Sequence, residues 1–398
     1  MPQATEAGSR TRRPGKLPDV GTTVFTIMSR RATESGAINL GQGFPDYPID
    51  TRLTELVQQA MAAGHNQYAP MPGVPALLEQ IGLKLTRAYG IDVDPEREIT
   101  VTLGATEAVY STIQAFAGAG DEVIVFDPAY DSYDPAVRLA GARCVHVPLT
   151  PPLFRPDWDR VCAALNDRTR LVIINSPQNP ACSCLSAADL DALAMLLRGR
   201  DCLVLADEVY EHMVYDGAQH ASVLAHSELR QRSVAVYSFG KTLHATGLRV
   251  GYAVAPPALT AELRKVHQFN TFTIATCLQH AIAGYLQERP SCGAELPAFF
   301  QHKRDRLAKL LEGSGLCVVR AAGSFFQLVD YSAVCDRNDV ELANALIDAA
   351  GVATIPLSVF YREPPPMKLL RLCFAKRDAT LIEGARRLSA WAKAQRPQ

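Results

Sequence analysis

The regular alternation of two kinds of run between residues 99 and 237 constrains this chain most. Apolar, β-branched stretches at 99–103, 121–126, 144–148, 171–175, 202–207 and 233–237 read as strands. Stretches with apolar residues at helical spacing, at 104–116, 133–140, 158–165 and 187–197, read as helices between them. Strands that alternate with helices build right-handed βαβ units. The expected fold class is therefore α/β, a mostly parallel sheet covered by helices on both faces. In such a sheet ligands sit at the carboxyl ends of the strands. Five of those ends carry polar or aromatic groups: Gly104-Ala105-Thr106, Pro128-Ala129-Tyr130, Asn175 to Pro180, Asp207 to Tyr210, and Ser238 to Lys241. Packing alone does not ask for such residues there.

The flanks follow other patterns. A short helix at 21–31 precedes Ile38-Asn39-Leu40-Gly41-Gln42-Gly43-Phe44-Pro45-Asp46, a strand running into a glycine-punctuated loop. Helices are expected at 51–63 and 74–89, the second with Pro75 in its first turn. After Gly251 the periodicity turns to an α+β pattern, with helices at 257–269, 276–287, 296–312, 340–350 and 381–394 and strands at 317–319, 325–329 and 369–374. The expected organisation is a disordered basic tail (1–20), an arm (21–55) joining a small domain, a large domain (56–275) and a small C-terminal domain (276–398).

Composition narrows the function. With 398 residues, 48% of them hydrophobic, the chain can bury a sizeable core. A net charge of -1, from 40 basic and 41 acidic residues, argues against a nucleic-acid or membrane-surface protein held by bulk charge. The apolar runs all fall short of the roughly 18 residues that span a bilayer. Ten scattered cysteines in so long a chain read as reduced, small hydrophobes, which fits the cytoplasm. Cys182-Ser183-Cys184 lacks the two-residue spacer of a redox or zinc motif, and no metal is expected there.

Lys241 follows the apolar run 234–237, and by itself it reads as a solvated lysine at a strand end. With Ser238 three residues before it and Arg249 eight after, it could hold an anionic aldehyde. Burial and a nearby cation would favour the neutral amine that attacks an aldehyde. Pyridoxal 5′-phosphate is such a cofactor. Its phosphate needs backbone N–H groups at a helix start, which Gly104, Ala105 and Thr106 can supply. Its pyridine nitrogen needs a carboxylate, and Asp207 closes an apolar strand where a carboxylate is otherwise unfavourable, a helix N-cap being the other reading. Tyr210 and Asn179 can reach the phenolic oxygen, and Tyr130 can stack on the ring.

These motifs together resemble the class I/II aminotransferases, fold type I enzymes that use pyridoxal phosphate. The resemblance rests on Asn175-Ser176-Pro177-Gln178-Asn179-Pro180, Asp207-Glu208-Val209-Tyr210, Ser238-Phe239-Gly240-Lys241 and Gly247-Leu248-Arg249-Val250-Gly251. It runs nearly the whole chain. Within that family the chain is most similar to the methionine and kynurenine–oxoglutarate aminotransferases, on 41–46, 66–70, 355–360 and 371–376. The resemblance implies that Lys241 forms the Schiff base and carries the proton, that Asp207 pairs with the pyridine nitrogen, and that Asn179 and Tyr210 bind the phenolic oxygen. It implies a phosphate site of Ala105, Thr106, Ser238 and Arg249, joined by Tyr68 from the other subunit of a homodimer. It also implies a substrate carboxylate held by Arg371, Asn179 and the Gly43 N–H. Phe44, Tyr47, Tyr130 and Phe272 are the expected side-chain wall. The expected reaction is ping-pong transfer of an amino group from a neutral sulfur-containing or aromatic L-amino acid (methionine, glutamine or kynurenine type) to a 2-oxo acid. The rival is a cysteine-S-conjugate β-lyase on the same site. Two departures stand out, Ala181-Cys182 where many relatives carry Thr-Gly, and Gly240 where many carry serine.

Overall fold

The computed structural model describes residues 15–395. Most of the expected basic tail, residues 1–14, lies outside the described residues. The strands in chain order are β1 (Ile38–Asn39), β2 (Ile99–Thr102), β3 (Glu122–Asp127), β4 (Arg143–Pro148), β5 (Thr169–Asn175), β6 (Leu203–Asp207), β7 (Ser233–Ser238), β8 (Gly251–Val254), β9 (Cys317–Val319), β10 (Phe326–Asp330), β11 (Val352–Ala353), β12 (Ile355–Pro356) and β13 (Leu369–Cys373).

Seven of them form one sheet in the order β2-β8-β7-β6-β5-β3-β4. β3 to β7 pair in parallel, and only β8 runs against its neighbours β2 and β7. Every residue of β2, β3, β7 and β8 is buried, as expected of strands covered on both faces. β4, at the edge, is half-buried along most of its length. β8 is the one strand of this sheet that the periodicity does not reveal. Its run begins at a glycine and is four residues long.

A second sheet, β12-β13-β10-β9, is antiparallel throughout. β1 pairs in parallel with β11, Ile38 opposite Val352, which ties the N-terminal segment to the C-terminal third. The Cys373 N–H donates to Leu40 O at 2.6 Å and extends that tie. The helices start and stop where local chemistry dictates. Pro75 opens Pro75–Tyr89, and Gly90 ends it in the left-handed conformation. Ser186 and Asp189 cap Ala187–Leu197 reciprocally.

Candidate active site

Strand register assembles the site. Asn175 at the end of β5 is level with Asp207 at the end of β6. Ser238 at the end of β7 is level with Gly251, and Gly251 with Thr102 of β2. A cleft of about 380 Å³ opens at these ends. Into it face Ala105, Thr106, Tyr130, Asn179, Asp207, Tyr210, Ser238, Lys241 and Arg249 from the large-sheet side. Gly43, Phe44 and Arg371 close it from the other.

At one end lies a cradle for an anion. The 13-residue helix Gly104–Phe116 points its N-terminus there, and no side chain caps it. Its first N–H groups and its dipole favour negative charge. Arg249 Nη2 is 3.4 Å from Thr106 Oγ1. Gly104 has φ +68°, and a Cβ there would lie 2.7 Å from the Arg249 guanidinium. Gly251 is as tightly held, since a Cβ would sit 2.7 Å from Ala105 N and Tyr237 O. Arg249 itself takes a left-handed φ of 55° to reach the cradle.

The middle holds a carboxylate and an amine. Asp207 is buried, and burial pushes its carboxyl upward. The Tyr133 hydroxyl donates to its Oδ2 at 2.6 Å and pulls the other way. Asn175 Nδ2 donates to the Asp207 carbonyl at 2.9 Å and fixes the strand end. Lys241 keeps some surface open to the cleft, yet its low-dielectric surroundings push the ammonium down to about 8. Its Nζ lies 5.4 Å from the Tyr210 ring and 5.1 Å from the Phe325 ring. Burial pushes the Tyr130 phenol up to about 12, so it stays neutral.

At the far end Arg371, wholly buried on β13, donates from Nη1 to Asn179 Oδ1 and from Nη2 to Gly41 O at 2.9 Å. Its guanidinium carbon stands 3.8 Å from the Phe326 ring centroid and 5.0 Å from that of Phe25. Its Nε is buried without a partner. A buried cation with an unsatisfied donor, beside a cleft, is prepared for an anionic ligand.

Not every expected residue lines the cleft. Gly104 stands behind Arg249, outside the lining. Phe272 and Tyr68 pack edge to face on each other, ring centroids 5.6 Å apart, outside the cleft, with Tyr68 86% exposed. Tyr47 packs against His244 and Phe299 instead. Of the expected wall, Phe44 and Tyr130 are in place. Phe25, Gln42, Val109, Val209, Thr246 and Phe326 line the cleft without having been singled out, and Tyr133 acts one layer behind it. A tyrosine at the start of an amphipathic helix gives no sequence signal for a bond to Asp207.

The donor set fits pyridoxal phosphate end to end. A cationic helix-start cradle, a buried carboxylate and an amine follow one another in a single cleft. The class I and II aminotransferase family matches residues 35–388. A methionine aminotransferase of Escherichia coli (strain K12) is 51% identical over 373 residues, covering 94% of this chain and 97% of the relative. Human kynurenine–oxoglutarate transaminase 1 is 32% identical over 410 residues, covering 94% and 97%. A crystal structure of an Escherichia coli methionine aminotransferase superposes with a TM-score of 0.93 at 49% identity, covering 96% of this chain and all of that one. The chain belongs to the class I and II aminotransferases, fold type I enzymes that work with pyridoxal 5′-phosphate.

Proposed function

We propose that this transaminase takes the amino group of a neutral sulfur-containing or aromatic L-amino acid, of the methionine, glutamine or kynurenine kind, and passes it to a 2-oxo acid. The charge inventory of the cleft carries the reading. Among the described residues its lining cations are Lys241, Arg249 and Arg371. Arg249 faces the helix start and Lys241 the centre, which leaves Arg371 for the α-carboxylate. No lining cation remains for a carboxylate on the substrate side chain. Phe25, Phe44, Val209 and Phe326 offer apolar surface instead. The methionine and kynurenine activities named for the two relatives agree with such a pocket. Both relatives are amino-group transferases, which gives the β-lyase rival no support.

Pyridoxal phosphate supplies an aldehyde that takes up the amino group and a ring that holds the electron pair left when the α-proton departs. The protein does the rest. Ala105, Thr106, Ser238 and Arg249 would hold the phosphate, Asp207 the pyridine nitrogen, Asn179 and Tyr210 the phenolic oxygen, and Tyr130 the ring face. Arg371, with Asn179 and the Gly43 N–H, orients the substrate by its carboxylate, because a planar fork matches that group bidentately. Lys241 accepts and returns the α-proton, and its depressed pKa keeps a working share of neutral amine near physiological pH. Tyr68 is assigned to the phosphate site of a second copy in a homodimer, supported by its exposure and its place outside its own cleft. No helix among the described residues is long and apolar enough to cross a membrane, and all ten cysteines are free, both compatible with work in the cytoplasm.

The test is a panel of amino donors against one 2-oxo acid. Methionine, glutamine, kynurenine or phenylalanine should lead, with aspartate at least about tenfold behind in kcat/KM, the scale of one lost pocket contact. Preference for aspartate would contradict the reading.

A further inference from the structure

The outer edge of the large sheet gathers ligand-type side chains that transamination does not use. Cys144 and His146 stand two apart on the edge strand β4 and so share one face. Asp134 comes from the adjoining helix Tyr133–Ala140. Among the described residues these three are the only group of three His, Cys, Asp or Glu side chains whose ligand atoms all lie within 4.8 Å of one another. His146 Nδ1 is 2.8 Å from Asp127 Oδ1 on the neighbouring strand β3. That contact turns Nε2 toward Asp134. Nε2 is buried, makes no hydrogen bond, and lies 3.5 Å from Asp134 Oδ1. A carboxylate on one ring nitrogen, with the other turned toward further ligand-type groups, is how proteins orient a metal-ligating histidine. A solvent-reached cavity of about 540 Å³ borders the same three residues.

We propose that Asp134, Cys144 and His146 bind one zinc ion, with Asp127 orienting His146 and water in the fourth position. Thiolate, imidazole and carboxylate are the ligands this borderline-soft ion takes, and tetrahedral geometry leaves one place for water. Binding releases the Cys144 thiol proton to solvent, together with any proton on His146 Nε2. The two anionic ligands then balance the ion's charge. Of the nearby arginines, Arg362 donates its backbone N–H to Asp127 Oδ2 at 2.8 Å, and three others have side-chain partners. Arg138 shares Asp134 Oδ2 at 3.3 Å but also donates to Asp19 at 3.0 Å. Arg143 and Arg168 pair with Glu122 at 2.7 and 2.6 Å. The ion fastens the edge strand to the helix that begins with Tyr133.

The experiment uses untagged holoenzyme stripped of metal with a chelator and titrated with Zn²⁺ and, separately, Co²⁺. One equivalent of Zn²⁺ should bind and raise Tm. The Co²⁺ form should show thiolate-to-cobalt absorption in the near ultraviolet. Cys144→Ser should lose that band while keeping its cofactor content and transaminase rate. His146→Ala should abolish stoichiometric binding, and Asp127→Asn should weaken it about ten- to hundredfold. Absence of stoichiometric binding in the parent protein overturns the proposal, leaving His146 as an imidazolium between Asp127 and Asp134. So does binding that survives both Cys144→Ser and His146→Ala.

Discussion

At single residues, the cleft holds protons and charges in unusual places. Lys241 sits at about 8 when folded, below the ordinary lysine value of 10.5, because burial disfavours its ammonium. The sign follows from linkage. The folded chain binds this proton less tightly than the unfolded one, so the ammonium penalises folding below about pH 8, and the penalty fades as pH rises. In apoprotein, the rate of cofactor capture should climb through about pH 8 and level off above it, read by stopped-flow absorbance. A rate flat from pH 6 to 10 would remove the depressed lysine from the account. Tyr133→Phe deletes the hydroxyl that holds Asp207 as a carboxylate. A hydrogen bond to a charged group contributes about 1.5–3 kcal/mol, so cofactor affinity should fall about ten- to hundredfold with the fold intact. Arg371→Lys keeps the charge and loses the fork. It should lower kcat/KM for every amino donor about 10²-fold or more, mainly through KM. An undiminished kcat/KM in the Lys variant would mean that the planar fork contributes nothing.

Elements decide which of these residues could be read from the sequence. Alternating runs made the parallel strands legible, and their ends marked Asp207, Asn179 and Lys241, because a polar group closing an apolar strand has no packing reason to be there. Strand β8 was hidden. Glycines at 247 and 251 disguise a run of four residues, although Gly251 is needed so that backbone can pass within contact of Ala105 and Tyr237. Phe25 and Phe326 were hidden differently, since an aromatic under a guanidinium looks in sequence like any core residue. Tyr47 was legible as aromatic and near the loop, but its direction depends on a tertiary contact with Phe299. The start of helix Gly104–Phe116 supplies a direct test. Gly104→Ala forces a side chain onto φ +68° and into the Arg249 guanidinium. Left-handed backbone costs a non-glycine residue about 1–2 kcal/mol. The variant should lose both stability, in a urea melt, and affinity for the cofactor phosphate. An unchanged dissociation constant would show that this helix start is not the phosphate cradle.

At the scale of the whole molecule, the cleft exists because two sheets meet over it. The large sheet contributes the helix-start cradle, Asp207 and Lys241. The second sheet contributes Arg371, held by the Gly41 carbonyl of the segment that β1 ties to β11. The exposed Tyr68 completes the proposed dimer, and subunit mixing tests it. Tyr68→Ala and Lys241→Ala proteins, each impaired alone, should regain activity when exchanged into mixed dimers, since one site then receives an intact lysine and an intact partner tyrosine. No recovery would place Tyr68 in its own subunit's site or in none. Whether one lysine holds the cofactor in one cleft is decided by borohydride reduction of the holoenzyme and mass mapping of the labelled peptide. The pyridoxyl group should be found on Lys241 alone, and Lys241→Ala should carry no label and lose transamination by about 10²–10⁴-fold or more. A label on another lysine, or full turnover by the alanine variant, would contradict it.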